Sequence, residues 1–203
     1  MSLFDQGEFG RGKTFYGPTA TIDSNNLGGA DLLGKEKWFT DTINSGSPQT
    51  RSKRHVLCRL VRNSSGITLL GKRLVQFKAG TKGTEVDGYT RIFGQGNYAA
   101  SDEYLPSAGV RANDIFWVVI RGPAIVTTAL EGDATNVITT ADRVVAGTAA
   151  ASTGTSAGRV AVESFASATA AATVRPNSLG VAQSAKTTAN TGADLLVDID
   201  YHF

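Results

Sequence analysis

The strongest pattern of apolar and polar positions lies in residues 114–128, DIFWVVIRGPAIVTT. Its first half, IFWVVI, is a short β-branched and aromatic run, which is typical of a strand buried on both faces. The triplet Arg121-Gly122-Pro123 then interrupts the run, and AIVTT is expected to begin a second, antiparallel strand. Because proline has no N–H to donate, we expect Pro123 at a turn or at a sheet edge.

The end of the sequence, LLVDIDYHF, alternates with the same period of two. Apolar and polar residues therefore fall on opposite faces of a final amphipathic strand. The apolar face holds Val197, Ile199, Tyr201 and Phe203, and the polar face holds Asp198, Asp200 and His202.

Shorter runs predict further strands. Residues 55–63 and 67–78 flank a turn at Ser64-Ser65-Gly66, and residues 88–93, 158–162 and 179–183 are shorter candidates. Residues 141–193 are rich in alanine, but glycines interrupt them and no apolar stripe of helical period survives. The sequence therefore predicts a mainly β fold, a sandwich or barrel of short antiparallel strands.

Three ranges of the chain differ in composition and in the pattern of apolar positions. Residues 1–50 predict an irregular N-terminal arm or loop-rich region, residues 51–110 a β-containing lobe, and residues 111–203 a β-rich module. The arm carries spaced aromatic residues that we interpret as anchors for a groove on a partner, and the alternative is a lobe that packs on its own domain. These anchors are Phe4, Phe9, Phe15, Tyr16 and Trp38.

The charged residues are unevenly distributed along the chain. The chain has 203 residues and a formal net charge of +2, with the basic excess in residues 1–110 and an acidic excess after them. The basic run that begins at Arg51, Lys53 and Arg54 could meet an acidic patch on a protein, contact phosphates, or be a solvated flank of a strand. Aromatic residues are not interleaved with it, so we favour protein contact or the solvated flank over nucleic acid.

The single cysteine, Cys58, excludes an intrachain disulfide and fits assembly in a reducing cytoplasm. No apolar run is long enough to span a bilayer, and MSLFDQGEFG lacks the features of a secretory signal. We therefore expect a soluble protein without a membrane partner.

GEFGRGKT, residues 7–14, matches the phosphate-loop pattern, but its context argues against nucleotide binding. Such a loop needs a buried strand before it and a helix after it. Here only MSLFDQ precedes the first glycine, and Gly17-Pro18 would stop a helix. We expect instead a flexible arm with solvated Arg11 and Lys13, and a nucleotide hydrolase is disfavoured.

Other catalytic or metal-binding sets are weak. His55 and Cys58 would point to opposite faces of a strand, so they do not suit one metal ion. No G-x-S-x-G elbow supports a serine triad, and Asp102-Glu103 reads as a polar turn. We expect a protein that is not an enzyme and needs no cofactor.

Residues 109–203 resemble small tailed-phage capsid decoration (cement) proteins. The positions that carry the resemblance are Trp117 to Val119 with Gly122 and Pro123, Gly132-Asp133, Leu179 to Ala182, and Gly192 to Ile199. Between these positions lies an Ala/Thr/Gly-rich stretch, and residues 1–108 have no counterpart in the pattern.

The resemblance implies a non-enzymatic virion protein that is assembled in the host cytoplasm and stabilises the outer surface of a phage capsid. Its implied partners are the major capsid protein and further copies of itself, in a dimer or trimer. The alternative is a carbohydrate- or receptor-binding β module of a phage tail or cell surface, favoured by the tyrosines at 89, 98 and 104 if they share an exposed face.

Overall fold

The computed structural model describes residues 11, 12, 14, 32–44, 51–89, 98–128, 138–146, 158–162, 179–186 and 193–200. These residues form ten β-strands and no α-helix, which confirms the prediction of a mainly β fold. The strands are β1 (Glu36–Asn44), β2 (Arg51–Asn63), β3 (Leu74–Phe77), β4 (Glu85–Tyr89), β5 (Tyr98–Ser101), β6 (Ile115–Thr127), β7 (Arg143–Ala146), β8 (Val160–Val162), β9 (Gly180–Ala182) and β10 (Asp194–Asp200).

The ten strands form one mixed sheet in the order β1-β2-β4-β3-β5-β6-β10-β9-β7-β8. The strand pairs are antiparallel except for β2 with β4, which run parallel through Arg62 and Asn63. An additional pairing joins β2 to β6, so β2, β4, β3, β5 and β6 close into a five-stranded ring.

The 13-residue strand β6 also begins a second group of strands. Its first half pairs with β2, whereas its second half pairs with β10, from Arg121 opposite Asp200 to Thr127 opposite Asp194. Strands β9, β7 and β8 follow β10, and a single parallel bridge between Thr128 and Val160 returns this group to the end of β6. The result is a second, partial ring that shares β6 with the first.

Two hydrophobic cores lie on the two faces of β6. Phe116, Val118 and Ile120 belong to the core inside the first ring, and the intervening Ile115, Trp117 and Val119 belong to the core that the second group of strands covers. Each large apolar side chain that is fully buried contributes roughly 1.5–3 kcal/mol. The prediction that this run is buried on both faces is confirmed.

The predicted break at Arg121-Gly122-Pro123 is wrong, because β6 continues through it. Gly122 has a φ of 92°, and a Cβ built there would lie 2.5 Å from the carbonyl oxygen of His55. The register between β2 and β6 also shifts between Leu57 and Cys58. Glycine thus allows a bend in which β6 passes close to β2 and turns from the first ring toward the second.

The other predicted strands are confirmed in part. Residues 55–63, 158–162 and 179–183 contain strands as predicted, and the alternation of the last strand is confirmed by buried Val197 and Ile199 beside exposed Asp198. Of residues 67–78 only Leu74–Phe77 forms a strand, and of 88–93 only residues 88 and 89 are described. The sequence pattern missed β1 entirely. The three predicted ranges stay a prediction, although β2 and β6 pair across the boundary at residue 110.

Candidate partner-binding surface

The first candidate surface is the face of β1 and β2 opposite the core around Trp117; on β2 it borders the core of the first ring, against which Leu57 packs. We call it the β1–β2 outer face and define it by three directly opposed pairs on the two strands. The pairs are Glu36 with Arg59, Trp38 with Leu57, and Thr40 with His55.

Trp38 is the most exposed large apolar side chain among the described residues, at 56%. Its neighbour Phe39 points the other way, because successive residues of a strand face opposite sides. The Phe39 ring meets the ring of Trp117 edge to face, with centroids 5.2 Å apart and planes at 76°. Strand β1 therefore packs Phe39 against the core and exposes the preceding residue, Trp38, to solvent.

Polar contacts hold both flanks of Trp38. On one side Arg59 Nε donates to Glu36 Oε1 at 2.9 Å, and the Arg59 guanidinium lies 5.8 Å from the ring centroid of Phe77. On the other side Thr40 Oγ1 and His55 Nδ1 are hydrogen-bonded at 3.1 Å. These cross-strand pairs fix the register of the two strands around the exposed indole.

Strand β1 is also an edge of the sheet. Among the described strands it pairs with β2 alone, over nine residue pairs from Glu36 with Arg59 to Asn44 with Arg51. The backbone groups along its other side have no partner strand in that part of the chain. Such an edge is a template on which a further strand can pair.

The second feature is an anchor for the N-terminal arm. Arg11 donates to Asp102 Oδ1 through Nη2 at 2.9 Å and through Nε at 3.2 Å, and the Gly12 N–H donates to Asp102 Oδ2 at 2.9 Å. The side chains of Arg11 and Asp102 are 5% and 0% exposed. The Arg11 guanidinium also lies 4.8 Å from the centroid of the Tyr104 ring.

Two sequence interpretations are corrected by this anchor. Arg11 was expected to be solvated in a flexible arm and Asp102-Glu103 to be an ordinary polar turn; the turn is present, but the side chains of Arg11 and Asp102 are buried against each other. Lys13, also expected to be solvated, lies outside the described residues. Backbone amides of a phosphate loop would face a phosphate, whereas the amide of Gly12 faces a carboxylate of the same chain.

The predicted partner-binding residues do not all fall in the described part of the chain. Phe4, Phe9, Phe15 and Tyr16 lie outside the described residues, and Trp38 lies on the β1–β2 outer face. The basic residues all lie in β2, where the register sets Arg51 opposite Asn44, Lys53 opposite Thr42 and Arg54 opposite Asp41.

The three tyrosines of the carbohydrate alternative do not form an exposed platform. Tyr98 is buried, and so is Tyr89, whose hydroxyl accepts a hydrogen bond from the Leu70 N–H at 2.6 Å. Of the three, Tyr104 alone is exposed, and it is the ring that lies against Arg11.

Burial rather than a charged partner dominates the shifted pKa values of the acids. Burial raises the pKa of the Cys58 thiol to about 12, and it is also the largest cause that raises the pKa of Asp114 and of Tyr89. His55 is exposed and Cys58 is buried, which confirms that they face opposite sides of β2. In the described ranges no group of three His, Cys, Asp or Glu residues could hold a metal ion, and no helix there is long and apolar enough to cross a membrane.

Sequence reasoning missed two buried polar features besides Asp102. Asn63 Nδ2 donates to the carbonyl oxygens of Ile67, Val110 and Arg111, which joins two turns at the end of β2. Arg73, Arg159 and Lys186 are buried basic residues. In the sequence, each of these three stands beside glycine, lysine or alanine neighbours, and no local pattern distinguishes it from a solvated residue.

Comparison with known proteins identifies no relative of this chain. No protein-family model matches it, and neither a curated protein nor a solved structure does so.

Proposed function

We propose that this chain is a non-enzymatic virion structural protein that binds the outer surface of a phage capsid and stabilises it. The observation that carries the proposal is the adjacency, in one sheet, of the segments that resemble decoration proteins. Residues 117–123 lie in β6, 179–182 at β9 and 193–199 at β10, and these strands are consecutive in the sheet in the order β6-β10-β9. Gly132, Asp133 and Gly192, which also carry the resemblance, lie outside the described residues. Val197 of β10 pairs with Ala124 on one side and Ala182 on the other.

The β1–β2 outer face supplies a contact surface for this role. Tryptophan is enriched among the residues that dominate binding energy at protein interfaces, and Trp38 stands exposed beside Leu57. The side of β1 with which no described strand pairs would offer backbone groups to a strand of the partner. We infer that the major capsid protein meets this face.

Repetition would turn modest contacts into firm retention. A copy of the chain that also contacts its own neighbours, in a dimer or trimer, engages the shell at several points at once. Linked contacts raise the overall affinity by orders of magnitude without any new type of interaction. The proposed location is therefore the capsid surface, reached after synthesis in the host cytoplasm, and the mechanism needs neither a cofactor nor nucleic acid.

The carbohydrate-binding alternative loses the feature that favoured it. A sugar platform needs aromatic faces open to solvent, and Tyr89 and Tyr98 are buried.

The test is add-back of the purified chain to particles that lack it. Wild type should bind saturably, and Trp38→Ala should weaken binding by at least tenfold, because about 2 kcal/mol or more is lost when a central aromatic contact is truncated. Leu70→Ala is the matched control, since Leu70 is another exposed apolar residue away from the β1–β2 outer face. Equal binding by the Trp38 variant and wild type would remove this face from the proposal, and no binding by wild type would refute the proposal itself.

A further inference from the structure

The edge of β1 presents the backbone groups of alternate residues. The Leu60 N–H donates to the Lys35 carbonyl oxygen at 2.9 Å, so the odd-numbered residues of β1 bond to β2. Successive residues of an antiparallel pair point their N–H and C=O groups alternately toward the partner strand and away from it. The backbone groups of Glu36, Trp38 and Thr40 therefore point to the side of β1 with which no described strand pairs.

This edge is long and regular. Strand β1 runs over nine residues, EKWFTDTIN, without proline or glycine, and its register with β2 has no shift. Strand β8, at the opposite end of the sheet, has only three residues. A sheet edge pairs with further strands unless a device such as proline, a bulge or a very short strand prevents it. Of the two ends of the described sheet, β1 is therefore the one at which another strand can add.

The β1–β2 outer face has three rows of side chains that run across the two strands. The middle row is apolar, and its tryptophan is 56% exposed. At the edge, the row on one side of it ends in a carboxylate that accepts from an arginine, and the row on the other side ends in a hydroxyl bonded to an imidazole. The rows are Glu36 with Arg59, Trp38 with Leu57, and Thr40 with His55.

A two-fold axis at Trp38 makes this face complementary to itself. An antiparallel second copy of β1 centred there sets Trp38 opposite Trp38 of the second copy, and Glu36 opposite Thr40 of the second copy. The two indoles then meet in the middle row as a cross-strand aromatic pair. The Thr40 hydroxyl can accept a hydrogen bond from His55 Nδ1 and donate one to the Glu36 carboxylate of the second copy.

Other positions of the axis fit less well. An axis at Lys37 would set this lysine opposite itself, and like charges directly opposite each other destabilise a strand pair. An axis at Phe39 would set the Trp38 indole opposite the Thr40 hydroxyl, so the apolar row of one copy would meet a polar row of the other. A second copy centred on Trp38 is therefore the occupant whose rows match apolar with apolar and donor with acceptor.

We propose that β1 is a dimer interface, at which two copies of this chain join edge to edge about a two-fold axis at Trp38 and form one continuous sheet. The pairing supplies about six backbone hydrogen bonds, two from each of the three opposed residue pairs. It gives a site to the self-association in the proposed function, and to that extent it rests on that proposal. The outer face, with both indoles side by side, is left for the capsid protein.

The mass of the purified chain in solution, without any particle, is the first test. Sedimentation equilibrium from micromolar to millimolar concentration should show wild type passing from monomer to dimer. Trp38→Ala should raise the dissociation constant of the dimer about tenfold or more, because the two indoles meet at the axis, and Leu70→Ala should leave it unchanged. A Trp38 variant that dimerises as well as wild type would overturn the proposal.

A wild type that stays monomeric would also overturn it and would leave the edge to a strand of the capsid protein. Because the measurement contains no capsid, its outcome is separate from that of the add-back experiment. A chain that dimerises but does not bind particles would refute the capsid role alone.

Disulfide cross-linking tests the register while Trp38 is kept. Opposed residues that exchange both backbone hydrogen bonds have Cα atoms about 5.5 Å apart, within reach of a disulfide. Under mild oxidation a mixture of Glu36→Cys and Thr40→Cys should form a covalent dimer, whereas neither variant should do so alone. The native Cys58 is buried and common to all samples. No cross-link in the mixture, or an equal yield from either variant alone, would contradict pairing about Trp38.

Discussion

Asp102 is the residue through which the N-terminal arm joins the sheet. It accepts hydrogen bonds from Arg11, from the Gly12 amide and from the Tyr104 amide. Gly12 itself has a φ of 78°, and a Cβ there would lie 2.5 Å from the Tyr104 carbonyl oxygen, so the arm sits directly on the backbone of this turn. Because both charges of the pair are buried, each depends on the other for compensation.

Asp102→Asn should therefore destabilise the protein by about 3 kcal/mol, since it removes the buried carboxylate charge that accepts two hydrogen bonds from the Arg11 guanidinium. Asp87→Asn, at an exposed position of β4, should change stability by less than about 0.5 kcal/mol. Urea unfolding of the two variants and wild type measures both values. Equal losses in the two variants would contradict a buried ion pair at Asp102.

Cys58 gives the fold a defined response to alkaline pH. Burial raises the pKa of its thiol from 9.0 to about 12, so the folded chain keeps a proton that the unfolded chain releases. Stability should therefore fall as pH rises through this window, by about 2–3 kcal/mol between pH 8 and pH 11. Urea unfolding across that range should show this slope in wild type in excess of the slope of Cys58→Val, which has no thiol. Parallel profiles for the two proteins would contradict the assignment.

At the scale of elements, β6 joins the two groups of strands, because both groups pair with it. Its bend at Gly122 depends on the absence of a side chain, since the His55 carbonyl oxygen occupies the space that a Cβ would take. The strand can then pair with β2 along its first half and with β10 along its second half.

Gly122→Ala should accordingly destabilise more than a glycine replacement that only strains the backbone. Gly66 is the matched control, because its φ of 74° is also positive and nothing lies within 4 Å of a Cβ built there. We expect Gly66→Ala to cost about 1 kcal/mol and Gly122→Ala about 2 kcal/mol more, from the added steric conflict. Chemical denaturation measures the difference, and equal costs would show that the approach of His55 does not constrain β6.

The strands that could be predicted are those whose signal is local. The apolar run of β6 and the alternation around Val197 need only neighbouring residues to be recognised. The bend at Gly122 could not be predicted, because it depends on the backbone of His55, far away in the sequence. Strand β1 could not be predicted, because its Phe39 packs partly buried against Trp117 of a strand that is distant in the sequence.

The candidate surfaces were predictable only in part, for the same reason. Trp38 was predicted as a partner-binding anchor from its place among spaced aromatic residues. Its side chain is exposed, and its binding role stays a prediction. The burial of Asp102 is set by Arg11, and that of Arg73 by the segment around Gly158, so neither could be inferred from its own neighbours. Long-range contacts of this kind leave no periodic trace in a sequence.

At the scale of the whole molecule, the described residues form two rings that share one strand, with Arg11 and Gly12 held at Asp102 and an edge at β1 that pairs with no described strand other than β2. Both faces of the shared strand are filled by apolar side chains. We propose that a chain of this form acts through its outer surface, by covering and linking surfaces of larger neighbours.

The most direct test of the central claim is a cryo-electron microscopy reconstruction of the native particle beside one from which this chain has been removed. The account predicts extra density on the outer capsid surface, at symmetry-related positions, that fits the two rings with Trp38 facing the shell. Identical shells in the two reconstructions would contradict it.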